Sequence, residues 1–253
     1  MIMQLVIDVI GIFVIYKVFG LCDSLLHKSF VNLSSNSVES SKVPENSQII
    51  SNNNRWISLH IIANTFITLL CITDVIKTLH NPIDCILGGV TKIPSYIAVA
   101  VHLYHACNFQ DLSLSDWMHH TFSAFLCGSI AIAIEWGPIL NYILFFITGM
   151  PGGINYILLL LCKYGYISKL RQKYINSHLN MWIRAPGLVS SVCFAYASWY
   201  VYNDSIDIVK CFTIALVCAI NLLNGLYYNY DVCVNYGEYK NKMAQNIKTQ
   251  EIV

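Results

Sequence analysis

PILNYILFFITGMPGGINYILLLLCK, residues 138–163, carries no Asp, Glu, Lys or Arg before its final lysine. Its halves, residues 138–149 and 155–162, are each too short to cross about 30 Å of hydrocarbon at 1.5 Å rise per residue; together they are long enough. Pro151-Gly152-Gly153 interrupts them. Such a break is tolerated at bilayer depth where neighbouring helices satisfy the freed backbone groups. The stretch therefore reads as one broken transmembrane helix, its break buried against neighbours rather than facing lipid.

Apolar runs of similar length recur at residues 2–21, 56–76, 92–110, 117–136, 182–202 and 207–230. The whole chain is 56% hydrophobic and 11% charged, against roughly a quarter charged in ordinary soluble domains. So few charges cannot build a water-facing surface. The expected fold class is all-α: an integral membrane helical bundle of about seven transmembrane helices. The first run lacks a basic n-region and a small-residue cleavage site, so it reads as a retained span. A net charge of +1 without a basic cluster interleaved with aromatics leaves no support for a nucleic-acid partner. Cys71, Cys107, Cys127, Cys162, Cys193, Cys211 and Cys218 sit inside apolar runs without Cys-x-x-Cys spacing, and read as gap-filling residues between helices.

The Ser/Asn-rich segment after the first run, residues 23–55, reads as a solvated polar loop. It divides the chain into residues 1–55, an N-terminal span with its loop; residues 56–230, a compact six-span unit; and residues 231–253, a polar C-terminal tail. With the N-terminus lumenal, Lys17, Lys28, Lys42, Arg55, Lys163, Lys169, Arg171, Lys173, Arg184, Lys240, Lys242 and Lys248 fall on the cytosolic side. Only Lys77, Lys92 and Lys210 fall opposite, a positive-inside bias that supports seven crossings and a cytosolic C-terminus. Trp56, Trp117 and Trp182 then open spans at the inner interface, and Trp136 and Trp199 close them at the outer one.

Polar residues collect near the inner interface. His102 and His105 lie three apart on one helical face near the end of the third span, and His119 and His120 occupy the first turn of the fourth. Asp116 precedes that pair by three and four residues, within reach of one imidazole, whose tautomer it would fix. His60 and Asn64 in the second span, Arg184 at the start of the sixth, and Asn221 and Asn224 in the seventh share this depth. Ionisable groups in a bilayer face the bundle interior or a water-filled cavity. These residues predict one cavity open to the cytosol.

Several of these residues carry a resemblance. Asp116-Trp117-Met118-His119-His120-Thr121, with Glu135, Pro138 and Asn141 after it and weaker echoes at Arg184, Pro186 and Asn221, resembles the TLC domain named for the TRAM, LAG and CLN proteins. The resemblance covers about residues 56–230. It implies a six-span helical unit, lipid metabolism and residence in the endoplasmic reticulum. The family commonly has Tyr-Asp where this chain has Tyr104-His105, and the longer ceramide-synthase motif with a second histidine pair is absent.

Two functional readings follow. In the first the protein is an acyltransferase: His119 or His120 acts as base or nucleophile near neutral pKa and Asp116 orients it. His102, His105, Arg184 and Asn221 then bind substrate, acyl-CoA is the co-substrate, and Lys169, Arg171 and Lys173 attract it from the cytosol. In the second the protein binds membrane lipids or regulates their composition without catalysis. No bound cofactor or metal is expected in either, because the clustered histidines are too few for a diiron hydroxylase or desaturase.

Overall fold

The computed structural model describes residues 2–37, 45–109, 112–134 and 136–250. Every regular element among them is helical. They form seven continuous rods: α1 (Ile2–Ser37), α2 (Glu45–His80), α3 (Ile93–Asn108), α4 (residues 114–133), α5 (Ile139–Lys163), α6 (residues 169–202) and α7 (Ile208–Gln250). Four of them contain stretches long and apolar enough to cross a membrane: Met3–Phe30, Asn54–His80, Ile139–Lys163 and Ile208–Asn246. The remaining three rods are shorter or more polar.

Each of α2 to α7 packs on two neighbours in the order α2, α3, α4, α7, α6, α5 and back to α2, which closes a ring. α1 lies outside it, against α2 and α3. The surface is inverted relative to a water-soluble bundle. Leu5, Val9, Phe13, Val14, Leu69, Phe212 and Leu223 are all more than half exposed, whereas Asp8, Asp23, Asn64, Asp74, Asn141 and Asn180 are buried. An apolar surface this extensive suits hydrocarbon rather than water.

Buried acids fasten α1 to the ring at two levels. Asp8 accepts hydrogen bonds from Tyr96 Oη (2.6 Å) and Gln4 Nε2 (2.9 Å), with Lys92 Nζ 3.7 Å away. Asp23 accepts from Arg55 and from Tyr104 Oη (3.0 Å). The polar segment expected as a loop is therefore largely helical: α1 continues to Ser37 and α2 begins at Glu45, while residues 38–44 lie outside the described residues. The expected polar C-terminal tail is likewise helical to Gln250. It packs on the start of α6, where Lys173 Nζ donates to Asn235 Oδ1 and Lys169 and Lys173 each stand 5.6 Å from the Tyr239 ring.

Gly88, Gly137 and Gly165 take up the left-handed backbone, and the last two bound α5. Gly165 (φ 76°) ends α5, with Tyr166 N–H returning to the Leu161 carbonyl (2.9 Å), the left-handed closure that satisfies last-turn acceptors. Gly137 (φ 71°) joins α4 to α5 so closely that a Cβ there would lie 2.5 Å from the Leu87 carbonyl oxygen. Ile139 N–H then donates to the Cys85 carbonyl at 2.9 Å.

The break expected in the fifth span is absorbed rather than open. Pro151, Gly152 and Gly153 are buried, as expected, but α5 runs through them, and a π-helical turn at Phe145–Gly149 precedes the proline. In α6 a second π turn, Asn180–Arg184, stands in the same relation to Pro186, and α4 holds a third at His120–Leu126. A proline has no N–H for the i−4 carbonyl, and a wide turn ahead of it takes up the mismatch without ending the helix.

Candidate functional site

Three helices deliver five imidazoles to one end of the ring. The i, i+3 spacing on α3 sets His102 and His105 on one face. His120 of α4 packs against both, with ring centroids 5.1 and 5.3 Å apart, and His119 lies 5.4 Å from His102. His60 of α2 completes the group at 5.9 Å from His102 and 5.4 Å from His105. The Trp56 indole stacks flat on His105, with centroids 5.1 Å apart and planes 12° from parallel.

Two tautomers follow from geometry. His60 Nδ1 lies 2.9 Å from the Trp56 carbonyl and His102 Nδ1 lies 2.6 Å from the Ala98 carbonyl. A carbonyl oxygen only accepts, so Nδ1 carries the hydrogen in each neutral ring and Nε2 keeps the lone pair. Both rings are thus held as acceptors toward whatever enters beside them.

What lies beside them is a cavity of about 290 Å³ enclosed by the ring. One part of its wall is polar, with His60, His102, His119, Asn64, Tyr156, Arg184, Asn221 and Asn224; another is apolar, with Val99, Ala131, Leu140, Ile143, Ile147 and Val217. All three π turns contribute lining residues: Ala124 from the first, Ile147 and Thr148 from the second, Arg184 from the third. A π turn shifts side chains off the α-helical register, and such turns are frequent at functional sites.

Arg184 is oriented by a ladder on its own helix. Its Nη1 donates to Asn180 Oδ1 (2.6 Å), and Asn180, fully buried, donates to the Asn176 carbonyl (2.8 Å). Across the cavity Asn64 accepts from Thr148 Oγ1 (2.9 Å), while its Nδ2 is buried with no hydrogen-bond partner among the described residues. Gly152 is what admits that amide: a Cβ there would lie 2.8 Å from Asn64 Nδ2.

No family model, curated protein or solved structure matches this chain. Its own geometry therefore carries the functional reading. Of the residues singled out in the sequence, His102, His119, Arg184 and Asn221 line the cavity, as do His60, Asn64 and Asn224. His105 and His120 belong to the imidazole group but not to the cavity wall; His120 is buried. The side chain of Asp116 and the whole of Glu135 lie outside the described residues. Asn141, part of the family resemblance, belongs to another site: its Nδ2 donates to Asp74 Oδ2 (2.7 Å), while Asp74 Oδ1 accepts from Lys77 Nζ (3.0 Å), near the end of the bundle away from the histidines. Among the described residues no three His, Cys, Asp or Glu groups converge as metal ligands.

Sequence reasoning missed Thr148, Asn155, Tyr156 and Asn176 in the lining, and Asn180 as the residue that orients Arg184. One signal was present. Asn176, Asn180 and Arg184 recur every four residues, the spacing that stacks side chains on one helical face.

Proposed function

We propose that the chain is a seven-span membrane protein that binds a lipid in the ring cavity and transfers an acyl group to it from acyl-CoA. The observation that carries this reading is the cavity itself, which sets imidazoles and a guanidinium against an apolar wall within one enclosure. Such a space suits an amphiphile, its reactive end beside the histidines. In the proposed step His119 takes the proton of the lipid hydroxyl or amine as that group adds to the thioester carbon. Collapse of the adduct breaks the C–S bond, and the departing coenzyme thiolate takes the proton back. His120, packed behind, positions the cavity-lining rings. The likeness of residues 116–121 to TLC-domain proteins supports a lipid ligand, while the missing second histidine pair favours the non-catalytic reading below.

Seven crossings are proposed because α3, α4 and α6 close the same ring as α2, α5 and α7, so a bilayer that holds those three holds the whole ring. The basic-residue bias then places the N-terminus in the lumen, the C-terminus in the cytosol, and the imidazole end toward the cytosolic coenzyme. We place the protein in the endoplasmic reticulum on the family resemblance.

A non-catalytic lipid-binding role is the second reading, favoured by one observation: His60 and His102 engage their own backbone, and His105 is stacked on Trp56. An assay with purified protein, a coenzyme A thioester and extracted membrane lipids separates the two. Acyl transfer, with free coenzyme released in equal amount, supports the enzyme. Lipid retained through purification without turnover on any thioester supports the second reading.

A further inference from the structure

We infer that the polar part of the cavity is an anion site, taking the carboxylate or phosphate head of a single-chain amphiphile. The inference rests on the lipid-cavity reading and adds the charge of the ligand. Among the described lining residues Arg184 is the only one with a formal charge, and none is acidic. Among the described residues no carboxylate forms an ion pair with it; its orienting partner is the neutral amide of Asn180. Its Nε is buried without a hydrogen-bond partner among the described residues. A cation so placed is costly unless something anionic completes it, and a planar guanidinium is matched to carboxylate and phosphate oxygens.

A second donor is independent of the first. Asn64, 1% exposed, spends its oxygen on Thr148 and keeps a buried Nδ2 for an acceptor. Tyr156 shares this lining, its ring 4.8 Å from that of His60, one turn from Asn64 on α2. Arg184 Nε and Asn64 Nδ2, with no acid among the described lining residues, are two N–H donors for an anionic head, while the Nε2 lone pairs of His60 and His102 can accept from a protonated oxygen of that head. The size of the cavity, about 290 Å³, is at the lower end of the roughly 300–1,000 Å³ of small-molecule pockets, which fits one alkyl chain better than two.

The test uses the full chain in nanodiscs of zwitterionic lipid and four probes of one chain length: a fatty acid, a lysophosphatidic acid, the fatty alcohol and the fatty amine. At least one anionic probe is expected to bind ten times or more tighter than the alcohol and the amine. Whichever anion binds tighter identifies the head as carboxylate or phosphate. Arg184→Gln is expected to bring the anionic probes to the level of the alcohol without weakening the alcohol itself. Should that variant fail to fold, the ranking of heads on the unaltered protein still decides. Alcohol and amine binding as tightly as both anions would overturn the anion site and leave the lipid cavity standing, as would an unchanged preference in a folded Arg184→Gln. Failure of all four probes to bind would overturn both.

Discussion

Arg55 of α2 grips Asp23 of α1 with both nitrogens of its fork, Nε to Oδ1 at 2.8 Å and Nη2 to Oδ2 at 2.5 Å, and Tyr104 Oη of α3 donates to the same carboxylate. Three helices meet at one acid whose side chain is 7% exposed. Removing one partner of a buried pair leaves the other uncompensated, at a cost of about 3–5 kcal/mol. Asp23→Asn and Arg55→Gln are therefore each expected to lower the midpoint of thermal unfolding in detergent markedly, and the two together by less than the sum of the single losses. Equal losses that simply add would show that the pair is not coupled.

His119 faces the cavity and His120 stands behind it, so the two should behave differently under substitution. On the acyl-transfer reading, His119→Ala lowers kcat by about 10²–10⁴ with lipid binding retained, because a general base acts in the transition state. His120→Ala lowers turnover as well, but also loosens the packing that holds His102 and His105, visible as a lower unfolding midpoint. If both variants restore normal lipid composition in cells lacking the protein, the catalytic reading fails.

Gly137 combines a left-handed backbone with a carbonyl oxygen 2.5 Å from where a Cβ would stand. Gly137→Ala should destabilise by about 2 kcal/mol or more, since strain and clash act together. The loss should appear in thermal unfolding of purified protein, whereas Gly88→Ala, at φ 74° with open space around it, should cost less. A Gly137→Ala protein as stable as the parent would mean that the α4–α5 turn does not dock on the 85–87 carbonyls as described.

The proposed orientation is checked by attaching a glycosylation acceptor to each terminus in turn. Modification is expected at the N-terminus alone. A glycosylated C-terminus would invert the bundle and place the imidazole end, with Arg184, in the lumen, away from cytosolic acyl-CoA.

Hydrophobic run length determined the helical class from sequence alone: residues 138–163 have too few charges for a water-facing helix and too many apolar residues for a loop. The polar residues were legible for the complementary reason. His102, His119, Arg184 and Asn221 stand out because an ionisable or amide group among apolar ones has a cost that demands an enclosed place. Which enclosure was decided only by tertiary structure. In a membrane the lipid-facing and core-facing sides of a helix are equally apolar, so no amphipathic stripe announces the seam, and the ring order from α2 to α5 has no periodic signature. The burial of His120 against His102 and His105 and the pairing of Asn141 with Asp74 depend on contacts between different helices. Local pattern told which residues cannot face lipid; only packing chose their neighbours.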